Sequence, residues 1–172
     1  MLAELLASHG FIVVCISSIG KNSMTPTVDS NGIDAEFQDL KACLLYAKKN
    51  MYVKVAKIYV IGYSLGAIPA IYLGIELPEI KAVATLDGSH CYFYKIAFAN
   101  STYVDSILKV PFLQLNQKAT GKVAHDNTFF DNQTSGRSYY IRSNTMTHAD
   151  FSSFYLLMNA NPRKNIFIQR DE

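Results

Sequence analysis

The sequence predicts an α/β fold, a mostly parallel sheet with helices on both faces, and three observations carry that prediction. Short apolar runs rich in β-branched or aromatic residues recur at Phe11–Ile16, Ile58–Ile61, Ala82–Leu86, Val110–Leu115 and Ser138–Ile141, each of strand length. Stretches with apolar residues three and four apart lie between them, and alternation of this kind places parallel strands in one sheet. Charged residues make up 17 % of the 172 positions, below the roughly 25 % of an average soluble domain, as a deeply buried sheet requires. Neither an internal repeat nor a low-complexity linker divides the chain, so residues 1–172 read as one domain.

In chain order, Leu2, Leu5 and Leu6 share one helical face, and His9-Gly10 reads as the stop of that helix. Phe11–Ile16 is apolar throughout, the pattern of a central strand buried on both faces. Ser17–Asn31 is a loop; its Gly20-Lys21-Asn22-Ser23 is no phosphate loop, because the earlier glycine is replaced by Cys15 and the residue after the lysine is Asn22. Ile33, Phe37, Leu40, Leu44 and Ala47 trace a helix to about Asn50, with Lys41, Lys48 and Lys49 near its wetter side. After the strand at Ile58–Ile61 comes a helix over Ala67–Leu77, ended by Pro78, then the strand Ala82–Leu86 closed by Asp87-Gly88. The tyrosine-rich stretch 89–109 holds a short helix near Val104–Leu108, and Val110–Leu115 is a strand that tolerates Pro111 near its start. A helix within Ala124–Asp131, the strand Ser138–Ile141 and a helix over Asp150–Met158 complete the reading, with Asn159–Glu172 unassigned.

Composition narrows the partners. Sixteen lysines and arginines against 14 acidic residues leave a net charge of +2 with no basic block, which argues against nucleic acid. No apolar run approaches the roughly 20 residues of a membrane span, and Met1 leads into amphipathic sequence without an export signal, so a soluble chain is expected. Cys15, Cys43 and Cys91 are few, odd in number and widely spaced, which suits small core residues better than a disulfide framework or a zinc site. No metal site and no cofactor are read. Two Asn-x-Thr patterns, at Asn100 and Asn132, matter only in a secreted eukaryotic chain.

The chemistry centres on Gly62-Tyr63-Ser64-Leu65-Gly66, a G-x-S-x-G pattern running from a strand into a helix. A serine on so tight a turn sits at strained backbone angles, and glycines at 62 and 66 are expected to remove the resulting collisions. Such a turn lifts the Ser64 hydroxyl above the sheet, beside the first amides of the next helix. A serine hydroxyl needs a base, and the base needs an orienting carboxylate. His9 lies at the opposite sheet end and is structural. His90 is close enough to the strand-end rim for substrate contact, and His125 is expected in solvent. His148, a few residues past the last strand, is placed to fold over Ser64 as the base. In the order Ser, Asp, His, Asp87 directly follows the strand after Ser64, whereas Leu115 is followed by Asn116, Gln117 and Lys118 with no carboxylate until Asp126. The competing reading of Asp87-Gly88 is a simple turn pair.

GYSLGA, TLDGS and THADFSSF together resemble the α/β-hydrolase superfamily, most closely the branch of platelet-activating-factor acetylhydrolases and dienelactone-hydrolase-like esterases. The resemblance spans Leu2 to about Leu157. It implies acyl transfer to Ser64, His148 as base and then acid, Asp87 fixing the His148 tautomer, and the Leu65 backbone amide as an oxyanion donor. Tyr63, Tyr92 and Phe93 are the candidate pocket, and the substrate is a small-molecule or lipid-like ester; a thioester or peptide would suit the same triad. The helix at Leu2–Ser8 resembles the one after the family's third strand, so the first three strands, and the loop giving a second oxyanion amide, are expected to be missing. The strand at Phe11–Ile16 must then pair directly with the Ser64 strand, leave a gap or borrow a partner. A non-catalytic hydrolase-like binding protein is the alternative that this departure raises.

Overall fold

The computed structural model describes residues 2–17, 27–52, 57–98, 103, 107–119, 124–133 and 137–152. Helix α1 (Leu2–Ser8) is followed by α2 (Ser30–Asn50), strand β1 (Ile58–Tyr63), α3 (Ala67–Glu76), β2 (Ile80–Leu86), α4 (Tyr94–Phe98), β3 (Phe112–Asn116), α5 (Thr128–Asp131) and β4 (Ser138–Arg142). The four strands form one parallel sheet in the order β1-β2-β3-β4. All four strand C-termini therefore lie on one rim, where ligands gather in such sheets.

The stop of α1 and the start of α2 each have a local cause. Gly10 adopts φ 84 after α1, a conformation that glycine takes without a Cβ penalty. Asp29 caps α2 by accepting from the Gly32 amide at 2.7 Å. The buried positions of α2 include Ile33, Phe37 and Ala47, as its helical spacing predicts, and Lys48 bridges to Glu79 at 2.8 Å while Lys41 pairs with Glu76. Helix α3 is buried from Ala67 to Gly74, and Gly74 is small because Val83 and Leu108 lie directly against it.

Pleating sends alternate side chains to opposite faces. One face, with Val83 and Phe112 in register, carries the core together with α2, α3, Phe98 of α4 and Phe129 of α5. The opposite face shows Tyr59, Ile61, Tyr139 and Ile141, all exposed. The helix read over Asp150–Met158 lies mostly outside the described residues, which end with a 3-10 turn at His148–Phe151.

Phe11–Ile16 corrects the sequence reading. The segment belongs to no strand, and Phe11, Ile12, Val14 and Ile16 are 41 to 51 % exposed. It touches the sheet through the edge-on packing of the Phe11 ring against Tyr59, 6.4 Å between centroids. The physical reason is pairing: β1 is the sheet edge, and among the described residues no strand ladders to its outer side. An apolar run supplies burial preference but cannot supply a hydrogen-bonding neighbour. Of the cysteines, Cys91 is buried, but Cys15 is exposed and Cys43 partly so, against the expectation of three core residues. Helix α4 at Tyr94–Phe98 lies in the tyrosine-rich stretch ahead of the position where a helix is expected, and the expected helix at Val104–Leu108 falls largely outside the described residues.

Candidate active site

Ser64 stands at the end of β1, in the 3-10 turn Ser64–Gly66 that leads into α3. Its φ is 53, left-handed for a residue with a side chain. The turn can be this tight because of Gly62: a Cβ there would lie 2.5 Å from Ala67 Cα and from the Gly66 carbonyl oxygen. At Gly66 a Cβ would meet nothing within 4 Å, so the steric requirement expected at both glycines holds only at 62. Gly62→Ala is expected to destabilise the fold by about 1–3 kcal/mol, the usual cost of forcing an atom into a packed site. A thermal melt measures it, and Gly66→Ala should shift the melt much less.

The structure brings Ser64, His148 and Asp87 together. Ser64 Oγ lies 3.0 Å from His148 Nε2, and His148 Nδ1 lies 2.5 Å from Asp87 Oδ2. Because an ionised carboxylate only accepts, Nδ1 carries the proton and the Nε2 lone pair faces the serine hydroxyl. His148 reaches this position from the turn after β4, which a capping box stabilises: the Thr147 amide donates to Asp150 Oδ2 at 2.7 Å. Its side chain is 43 % exposed, open to the pocket, whereas Asp87 is fully buried at the end of β2 with φ 44.

Burial alone would raise the Asp87 pKa. Donation from His148, from the Gln117 backbone amide at 3.0 Å and from the Tyr92 hydroxyl at 2.7 Å outweighs it and holds the carboxyl below its ordinary range. Desolvation pushes the Tyr92 phenol up, so Tyr92 stays a donor to Asp87. Its oxygen in turn lies 3.0 Å from Gln117 Nε2 and 3.0 Å from His125 Nε2. His125 is thus half-buried and hydrogen-bonded, not solvated as its sequence position suggested. Burial lowers its pKa, with Arg142 acting in the same direction and Asp87 against it.

A pocket of about 370 Å³ opens beside the serine, lined by Ser64, Ser89, Tyr92, Phe93, Gln117, Ala124 and His148. Tyr92 and Phe93, both expected at the pocket, line it. Tyr63 does not: it stacks on the His148 ring at 5.0 Å and donates to the His148 carbonyl at 3.0 Å. Nor does His90, which is wholly buried beneath the site and bonded to Gln114 Oε1 at 3.1 Å. The adjacent Cys91, His90 and Asn116 cluster is no thiolate centre, because burial pushes the thiol up to about 12 and the imidazole down to about 4. Among the described residues no group of three His, Cys, Asp or Glu could hold a metal ion. Nor is any described helix long and apolar enough to cross a membrane.

Among solved structures, the chain is similar to an esterase from Pyrococcus furiosus, at 21 % identity and a TM-score of 0.53. It is also similar to an alpha-beta serine hydrolase homologue from Coxiella burnetii, at 15 % identity and a TM-score of 0.52. This is an α/β-hydrolase-like fold. The two alignments cover 74 % and 87 % of this chain, and the chain spans 58 % and 66 % of the two structures' own lengths. No protein-family model matches the sequence, and no curated protein matches it. Within the α/β-hydrolase-like fold, Ser64, Asp87 and His148 occupy the common rim at the ends of β1, β2 and beyond β4. Gln117 and His125 had no motif to mark them. The available signal was indirect: a buried carboxylate needs donors, and Gln117 follows the end of β3, the strand paired beside β2.

Proposed function

We propose that this chain, a single domain over residues 1–172, is a serine hydrolase that cleaves carboxylic esters through an acyl-enzyme. The observation that carries the reading is the continuous hydrogen-bonded line Ser64–His148–Asp87 at a serine held at positive φ. As His148 Nε2 takes the hydroxyl proton, Ser64 Oγ forms a bond to the ester carbonyl carbon. The tetrahedral intermediate expels the alcohol, which receives that proton from His148, and leaves Ser64 acylated. Water then attacks the acyl carbon, again giving its proton to His148, and the acid departs as Ser64 regains its hydrogen. Asp87 stays ionised and stabilises the imidazolium at each stage. The Leu65 amide, first in the turn after Ser64, is assigned the intermediate's oxyanion. The aromatic residues Tyr92 and Phe93 beside a pocket of about 370 Å³ favour a small acyl group, consistent with an acetylhydrolase-like or dienelactone-hydrolase-like esterase.

A fluorophosphonate probe tests this directly, because it phosphonylates only a serine that its base has activated. Labelling of the 172-residue chain at Ser64, located by mass spectrometry and lost in both Ser64→Ala and His148→Ala, is the expected result. A folded chain that takes no label would overturn the reading and leave a hydrolase-like binding protein.

A further inference from the structure

The structure assigns Gln117 a positioning role: this one residue ties the acid, its tyrosine donor and the backbone of the base into a single rigid unit. Gln117 follows β3 and is half-buried at the rim. Its backbone amide donates to Asp87 Oδ1 at 3.0 Å, its side-chain Nε2 donates to the Tyr92 oxygen at 3.0 Å, and its Oε1 accepts from the His148 amide at 3.0 Å. Both ends of the carboxamide are therefore used, and in opposite senses. Glutamate would keep the acceptor for His148 and lose the donor for Tyr92. Methionine would keep the size and lose both. The Tyr92 hydroxyl has one proton; with Gln117 and His125 both facing its oxygen, that proton goes to Asp87. The His148 turn is held from its other side by Tyr63, so Gln117 and Tyr63 grip it at its amide and its carbonyl.

The consequence for rate rests on the esterase reading; the positioning itself does not. A base displaced by a fraction of an ångström loses its line to Ser64, and misplacement of about 1 Å can cost on the order of 100-fold. Gln117→Met is expected to lower kcat about 10- to 100-fold with KM changed less than about threefold. Gln117→Glu adds a carboxylate beside the Asp87–His148 pair. Other groups facing that pair or its tyrosine are Ser64, Tyr63, His90, Cys91 and His125, with Asp126 beyond Cys91 and Arg142 beyond His125. The added negative charge favours the protonated form of the pair, so the acidic limb of the pH–rate profile should move to higher pH in Gln117→Glu and not in Gln117→Met.

The experiment has two arms on the 172-residue chain. Proton NMR follows the low-field imidazole N–H resonance of the His148–Asp87 hydrogen bond, assigned by its loss in His148→Gln. Ester hydrolysis is measured against pH in parallel, with circular dichroism as the folding check. Broadening or an upfield move of the resonance in both Gln117 variants supports the positioning role. An unchanged resonance in both folded variants overturns it, whether or not the chain hydrolyses esters. A wild-type chain that shows the resonance but neither labels nor turns over would sink the esterase reading and leave the Gln117 result standing. If wild type is active and Gln117→Met keeps full kcat, the positioning role is wrong.

Discussion

Asp87→Asn is expected to lower kcat/KM for ester hydrolysis by about 10⁴-fold while the chain stays folded. The substitution keeps size and shape, and its remaining oxygen still accepts from Tyr92 and the Gln117 amide, so packing around this wholly buried side chain is preserved. What changes is the sense of one hydrogen bond. In the native site Asp87 Oδ2 accepts from His148 Nδ1 at 2.5 Å, which leaves Nε2 bare toward Ser64. An amide nitrogen in that place donates, so His148 must put its lone pair on Nδ1 and its proton on Nε2. Nε2 then donates to the Ser64 oxygen and has no lone pair to take the hydroxyl proton, so the base is lost. The imidazolium of the intermediate also loses its compensating charge. Steady-state hydrolysis of a short-chain p-nitrophenyl ester, with a thermal melt as control, measures the effect. A variant within tenfold of wild type would show that Asp87 does not orient the base.

Acidification between pH 6.5 and 4 should weaken the fold through His90, by about 3 kcal/mol at the lower end. The imidazole is wholly buried, packs near the Phe112 and Phe129 rings, and leaves Nδ1 without a partner among the described residues. Burial drives its pKa down from 6.5 to about 4, against the opposing pull of Gln114 and Asp87. The folded state thus refuses a proton that the unfolded chain binds. Stability is complete above the unfolded pKa and drains away as pH falls toward 4. Asp87, also depressed, acts in a lower window: its contribution is lost only below the ordinary carboxylate range, as pH falls through its folded pKa. Urea unfolding of wild type and His90→Gln at several pH values separates the two. The variant should show a shallower loss between pH 6.5 and 4 and the same loss below; equal slopes in the upper window would refute the assignment to His90.

The residues at the heart of the site were legible before the fold because each has a local signature. Ser64 sits between a β-branched run and a helical stretch, Asp87 at a strand end, and His148 just past the last strand. Their supports were not. Tyr92 looked like a pocket aromatic and Tyr63 like another, yet one also donates to Asp87 and the other donates to the His148 carbonyl. His125 looked solvated and instead faces the Tyr92 oxygen. A hydrogen bond between residues 33 positions apart leaves no mark on either sequence neighbourhood.

The same distinction decides the sheet. Periodicity and composition determined which segments are apolar enough for strands, where helices alternate with them, and that the chemistry gathers on one rim, since these follow from side-chain pattern along the chain. Phe11–Ile16 has the composition of a central strand and is none, because a strand exists only where a neighbour accepts its backbone hydrogen bonds. Which strand lies beside which, which histidine is buried, and which residue hydrogen-bonds to both Asp87 and His148 are non-local pairings, and only the tertiary structure decided them.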